Sequence, residues 1–263
     1  LYPQLTSHSA STHLQTLTFS SLPYFTFLLS LLSPNAPIHP LFQPRLHPDP
    51  TLPRDLTLPA ALLSGYVTSS TTGNEDLVIA SRAALVSFCS SSAQNLSLIC
   101  HALHTNLALH EANDRTAVPT LEIMAFLFHV GVYGQMSGTG YDWRKLCLLV
   151  QRAGYKSGNV RKLEAVVGVY GGVASLSVRG EKDREAEEGL RNGVKEARRR
   201  LGALLSHPWP RVRSAVVDEL WGMVLVAGQE GRVKMAEEVL MGVDWGKADK
   251  GAVRGLVEKL GLA

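Results

Sequence analysis

The stretch "CHALHTNLALH" puts Cys100, His101, His104 and His110 within eleven residues, the side-chain types that hold zinc. On a helix, Cys100 and His104 are one turn apart and share a face, as paired ligands do. A closed site needs two more ligands, and no second pair with metal spacing occurs in the chain. Ordinary helix residues are therefore the expectation. Glycine clusters raise a second chemistry, phosphate binding, at "GVYGQMSGTGYDW" (Gly131 to Trp143) and "GVYGGV" (Gly168 to Val173). A phosphate loop follows a strand and brings a lysine or a helix N-terminus to the anion. No strand pattern precedes either cluster, and neither continues into Gly-Lys-Ser/Thr. The first reads as a helix-to-helix loop. The second sits inside a helical pattern and either allows close helix packing or marks a break between helices. With no Gly-x-Ser-x-Gly or His-Glu-x-x-His motif, no enzyme activity, cofactor or metal is expected.

Two further groups suit protein contact. Glu181 to Arg200, "EKDREAEEGLRNGVKEARRR", holds seven basic and six acidic residues. Opposite charges a turn apart make a solvated face rather than a single-sign patch, with Arg198 to Arg200 as its most basic spot and an acidic partner as the other reading. The second group is the turn in "LLSHPWPRVRSAVVDELW", Leu204 to Trp221. His207 precedes a proline and is pushed out of the α region, so one helix ends there. Pro210 suits the first position of the next. Val212, Val216, Leu220 and Val224 then recur every four residues as a buried stripe. Trp209, Arg211 and Arg213 lie at this turn and are of the types that most often carry interface energy. The alternative is that Trp209 packs under its own turn and the arginines are solvated.

A helix, a tight turn and a second helix laid back on the first is the unit of an α-solenoid, so the rest of the chain should repeat it. From Pro59 onward the helical pattern is continuous and strand signals are absent. Helices are expected at "PAALLSGYVTSS", "NEDLVIASRAALVSFCSS", "AQNLSLICHALHTNLALHEA", "VPTLEIMAFLFHVGVY" with Pro119 near its first position, "YDWRKLCLLVQRAG", "NVRKLEAVVGVYGGVASLS", the charged run, "VKMAEEVLMGV" and "KGAVRGLVEKLGL". Four similar helix starts, at Val78, Val118, Val160 and Val212, are spaced 40, 42 and 52 residues apart. HEAT and armadillo pairs repeat at about 40–47. The expected fold is all-α, an α-solenoid of HEAT/armadillo-like antiparallel helix pairs over 58–263.

Residues 1–57 read as an N-terminal segment and linker, partly helical or poorly ordered. No charged side chain precedes Arg45, and eight of the thirteen prolines fall between Pro34 and Pro59. Ser11 to Ser33 can form one or two helices, with Pro23 opening the second. The apolar run Pro23 to Leu32 is half a membrane span and lacks a basic n-region, so neither a span nor a signal peptide is expected. Three cysteines without paired spacing, Cys89, Cys100 and Cys147, fit buried thiols in a reducing compartment. The net charge of +3 gives no reason for a nucleic-acid partner. The chain opens on Leu1 rather than Met, and a piece of a longer protein is expected.

Four motifs in order resemble the C-terminal region of the tubulin-folding cofactor D family. They are "LLSGYVTSSTTGNEDLVIASRAAL" at Leu62–Leu85, "NDRTAVPTLEIMAFLFHVG" at Asn113–Gly131, "LLSHPWPRVRSAVVDELW" at Leu204–Trp221, and a final Trp followed by "VRGLVEKLGL" at Val253–Leu262. The His-Pro-Trp-Pro turn followed by Val-Arg is the most specific of them. The resemblance implies a non-catalytic chaperone whose HEAT arches wrap β-tubulin. It further implies work with cofactors E and C and a small Arf-like GTPase to assemble or take apart the αβ-tubulin dimer. Any stimulated GTP hydrolysis would belong to tubulin, and the location implied is cytoplasmic and microtubule-associated. A generic HEAT scaffold unrelated to tubulin is the competing reading.

Overall fold

The structure, a computed structural model, describes residues 21–32, 66–67, 75–137, 139–177, 184–227, 237–245, 250–260 and 262. Every regular element among them is helical. In chain order these are α1 (Ser21–Ser30), α2 (Glu75–Ser91), α3 (Ala93–His110), α4 (Asp114–His129), a 3-10 turn (Tyr133–Met136), α5 (Trp143–Gly154), α6 (Val160–Ala174), α7 (Arg184–Leu204), α8 (Pro210–Ala227) and α9 (Lys250–Lys259). The fold is all-α and built of packed helix pairs. The four similar starts noted in the sequence open alternate helices, α2, α4, α6 and α8. The longest interval contains α7, the longest helix described. The expected crossing loop at 34–57, the first of the two N-terminal helices and most of the helix proposed from Pro59 lie outside the described residues.

The chain divides into two compact units, Leu1–Ile123 and Met124–Ala263. In the first, α1 packs on α2 and α2 on α3. Phe25 meets Tyr66 edge to face at 5.5 Å, and the Tyr66 hydroxyl donates to the carbonyl of Ser81. Leu77, Ala84 and Leu85 of α2 are buried as the periodicity requires, but Ser81 and Cys89 complete the stripe while Ala80 and Phe88 are half-exposed. One residue separates α2 from α3: Ser92 is extended (φ −162°), and its side chain caps α3 by accepting from Asn95 N–H at 3.1 Å. Leu96, Ile99, Leu103 and Leu107 are all buried.

α4 departs from expectation at its start. It begins at Asp114, so Pro119 lies inside the helix rather than near its first position. Asn113 makes this possible: its Oδ1 accepts from Arg115 N–H at 3.1 Å, and its carbonyl accepts from Ala117 N–H at 2.8 Å. The bond that Pro119 cannot make would have gone to the carbonyl of Arg115, in an exposed first turn that water reaches.

The second unit shows the stacking of helix pairs directly. α5 packs on α6, α5 also on α7, and α6 on α8, so each helix meets its neighbour and its next-but-one. Asp142 caps α5 (2.8 Å to Lys145 N–H) and Asn159 caps α6 (3.2 Å to Lys162 N–H). The first glycine cluster is the helix-to-helix loop expected. Gly131 and Gly140 turn it with φ of 75° and 72°. Phe128, Tyr133, Tyr141 and Trp143 pack it down, Phe128 stacking on Tyr133 at 4.5 Å. The second cluster resolves in favour of close packing. Gly168, Gly171 and Gly172 lie within α6, where a methyl would meet Ala125, Glu219 and Phe128 respectively.

Candidate functional site

The turn between α7 and α8 is built as its sequence demands. Ser206 N–H closes on Ala203 O at 3.2 Å and His207 N–H on Leu204 O at 3.0 Å, using the last carbonyls of α7 before Pro208 stops it. Pro210 opens α8, with Val212 N–H bonding Trp209 O at 3.1 Å. Val212, Val216 and Leu220 are buried, which anchors the turn on the core; Val224 is half-buried.

Of the three residues singled out here, Arg213 lies inside. It is only 7% exposed, and its Nε donates to the carbonyl of Trp245. Its Nη1 donates to the carbonyls of His207 (2.6 Å) and Pro208 (3.2 Å). A planar guanidinium with several fixed donors suits this role, which lysine could not fill. Trp245 is itself buried, its indole N–H on Leu240 O at 2.7 Å. Two motifs far apart in the sequence, the His-Pro-Trp-Pro turn and the later tryptophan, are thus joined through one side chain.

Arg211 points outward. Its side chain is 75% exposed and forms a two-pronged ion pair with Glu164 of α6, Nη2 lying 3.4 Å from Oε2. Trp209 is half-buried, its ring edge-on to His207 at 5.2 Å. His207 Nδ1 accepts from Trp209 N–H at 3.2 Å, which places its proton on Nε2. Burial, and then the Arg213 charge, hold the His207 pKa below its ordinary value. What the turn offers a partner is therefore the edge of Trp209 and the exposed Arg211–Glu164 pair.

The zinc-like group is spread out. Cys100 is fully buried while His101 is exposed and hydrogen-bonded to Ser97 O at 2.8 Å. Among the described residues no three His, Cys, Asp or Glu side chains gather as a metal would need. Burial pushes the Cys89 and Cys147 thiols up to about 12, so neither is a nucleophile near neutral pH.

One group escaped the sequence. Glu219 of α8 lies against the glycine face of α6, where a methyl on Gly171 would stand 2.7 Å from its Cδ and closer to Oε2. Burial and, to a lesser degree, the neighbouring Asp218 charge raise its pKa to about 7. The signal was present in the paired glycines of "GVYGGV", which make room on α6 for a side chain from another helix.

Residues 53–162 match the family model for the tubulin folding cofactor D C terminal, bearing out the resemblance drawn from the sequence. The match contains the motifs at 62–85 and 113–131 and ends before the turn at 205–213. No curated protein and no solved structure matches the chain. No described helix is long and apolar enough to cross a membrane.

Proposed function

We propose that the chain is the C-terminal part of a tubulin-folding cofactor that binds β-tubulin. With cofactors E and C and a small Arf-like GTPase, it assembles or dissociates the αβ-tubulin dimer in the cytoplasm and at microtubules. The observation that carries this reading is the family match over residues 53–162. The stacked helix pairs support it, because such arrays present extended surfaces suited to large protein partners. On this reading the chain is not itself an enzyme; any GTP hydrolysed belongs to the partner. Trp209 and Arg211 form the proposed contact, and Arg213 holds the turn in shape behind them. Replacing Trp209 and Arg211 with alanine, with Arg213 kept, leaves the melting temperature nearly unchanged and weakens capture of purified β-tubulin or of the GTPase. If both captures are unchanged, the turn has no binding role. If the unaltered chain captures no tubulin, the generic scaffold is the correct description.

A further inference from the structure

Three cations of α7 are matched within their own helix: Arg191 pairs with Glu187, and Glu196 takes both Arg199 and Arg200. α5 is different. From Trp143 to Lys156 the chain has four cations and no carboxylate. Trp143, Leu146, Cys147, Leu149, Val150 and Ala153 are buried, so the helix has a single outward face. That face carries Arg144, Lys145, Leu148 and Arg152, and Tyr155 and Lys156 follow just past the helix end, all exposed. Arg144 and Lys145 form no ion pair among the described residues.

Arg144, Lys145 and Leu148 also form one wall of an open cleft of about 590 Å³. Its other wall, on α7, is made among the described residues by Ala186, Gly189 and Asn192, none of them charged. The carboxylate in the described lining, Asp142, is held by capping Lys145 N–H. We infer that this face of α5 and its cleft bind an acidic peptide segment in extended conformation. From Arg144 to the helix end at Gly154 the stripe rises about 15 Å, the reach of about four to five extended residues, with Tyr155 and Lys156 just beyond. Carboxylates at the ends of such a segment meet Arg144 with Lys145 and Lys156, while an apolar residue between them covers Leu148, which is 36% exposed. A nucleic acid fits less well, because the exposed ring of Tyr155, which would stack on a base, has Lys156 Nζ over its face at 5.2 Å. The inference does not depend on tubulin being a partner.

The test measures fluorescence anisotropy of the full chain with a labelled peptide of glutamates around one phenylalanine. The glutamine version of the peptide and a single-stranded oligonucleotide of equal charge run beside it. The glutamate peptide binds, more weakly as salt rises, and the glutamine version does not. The double variant Arg144→Gln, Lys145→Gln weakens binding about tenfold, the sum of two exposed charge contacts. Arg191→Gln changes nothing. Both substituted sites are exposed, and an unaltered circular dichroism melt verifies the fold. Equal binding by the double variant, no binding by the unaltered chain, or tighter binding of the oligonucleotide through the same two residues would each overturn the inference.

Discussion

Replacing Glu219 by glutamine should stabilise the chain in neutral and alkaline solution and leave it unchanged in acid. The carboxyl lies on the glycine face of α6, and no hydrogen bond or ion pair to it is found among the described residues. Its pKa rises from the ordinary 4.5 to about 7 in the folded chain. The folded state therefore holds the proton more tightly than the unfolded chain between these values. The stability this gives is complete below about 4.5 and is lost as pH rises through about 7. The full shift corresponds to about 3 kcal/mol at 1.36 kcal/mol per unit, and about 2 kcal/mol remains after allowing for solvent at the partly exposed group. Glutamine has the same shape and no charge to desolvate. Urea unfolding of both forms at fixed pH values from 5 to 8 reads the difference directly, since every other titrating group is common to the two. The variant should gain about 2 kcal/mol over the parent by pH 8, with the two curves converging toward pH 5. A difference that stays constant over that range would show that the carboxyl titrates normally, and the burial argument would fail.

Arg213→Lys should cost about 2 kcal/mol, because one ammonium cannot replace the fork that reaches the buried Trp245 carbonyl together with the part-buried carbonyls of His207 and Pro208. Arg211→Ala should cost less than about 1 kcal/mol; thermal melts distinguish the two. Gly172→Ala should lower stability by about 1–2 kcal/mol. The methyl would stand 2.7 Å from Phe128 Cδ1 and closer to its Cβ and Cγ, and Phe128 is stacked on Tyr133. That overpacking outweighs the helix propensity gained, and chemical denaturation measures the balance. Cys89 and Cys147 should react with a thiol reagent at pH 8 only as fast as the chain opens, so the rate should rise with denaturant, whereas immediate labelling would contradict their burial.

Helix existence and spacing were legible because they rest on local patterns. The stripes of α3 and α8, and the stop and start at Pro208 and Pro210, follow from periodicity and from proline's geometry. The start of α4 was misplaced because the pattern weighed Pro119 over the capping Asn113, and an exposed first turn tolerates a missing bond. The candidate turn was found by residue type alone, and type cannot say which way a side chain faces. Arg211 and Arg213 are two residues apart on a helix, about 200° around its axis, so one meets solvent and the other the core. The paired glycines of α6 announced room for a side chain but not which one, because Glu219 lies almost fifty residues away in the chain.

The contacts of Arg213 also bear on how this part of the molecule comes apart. Its guanidinium holds carbonyls on the turn and, far along the chain, at Trp245. Neither segment can lift away alone without stranding a buried positive charge. The turn and the segment around Trp245 therefore open as one cooperative unit. In native-state hydrogen exchange, the amides of both should share a single opening free energy, although more than thirty residues separate them.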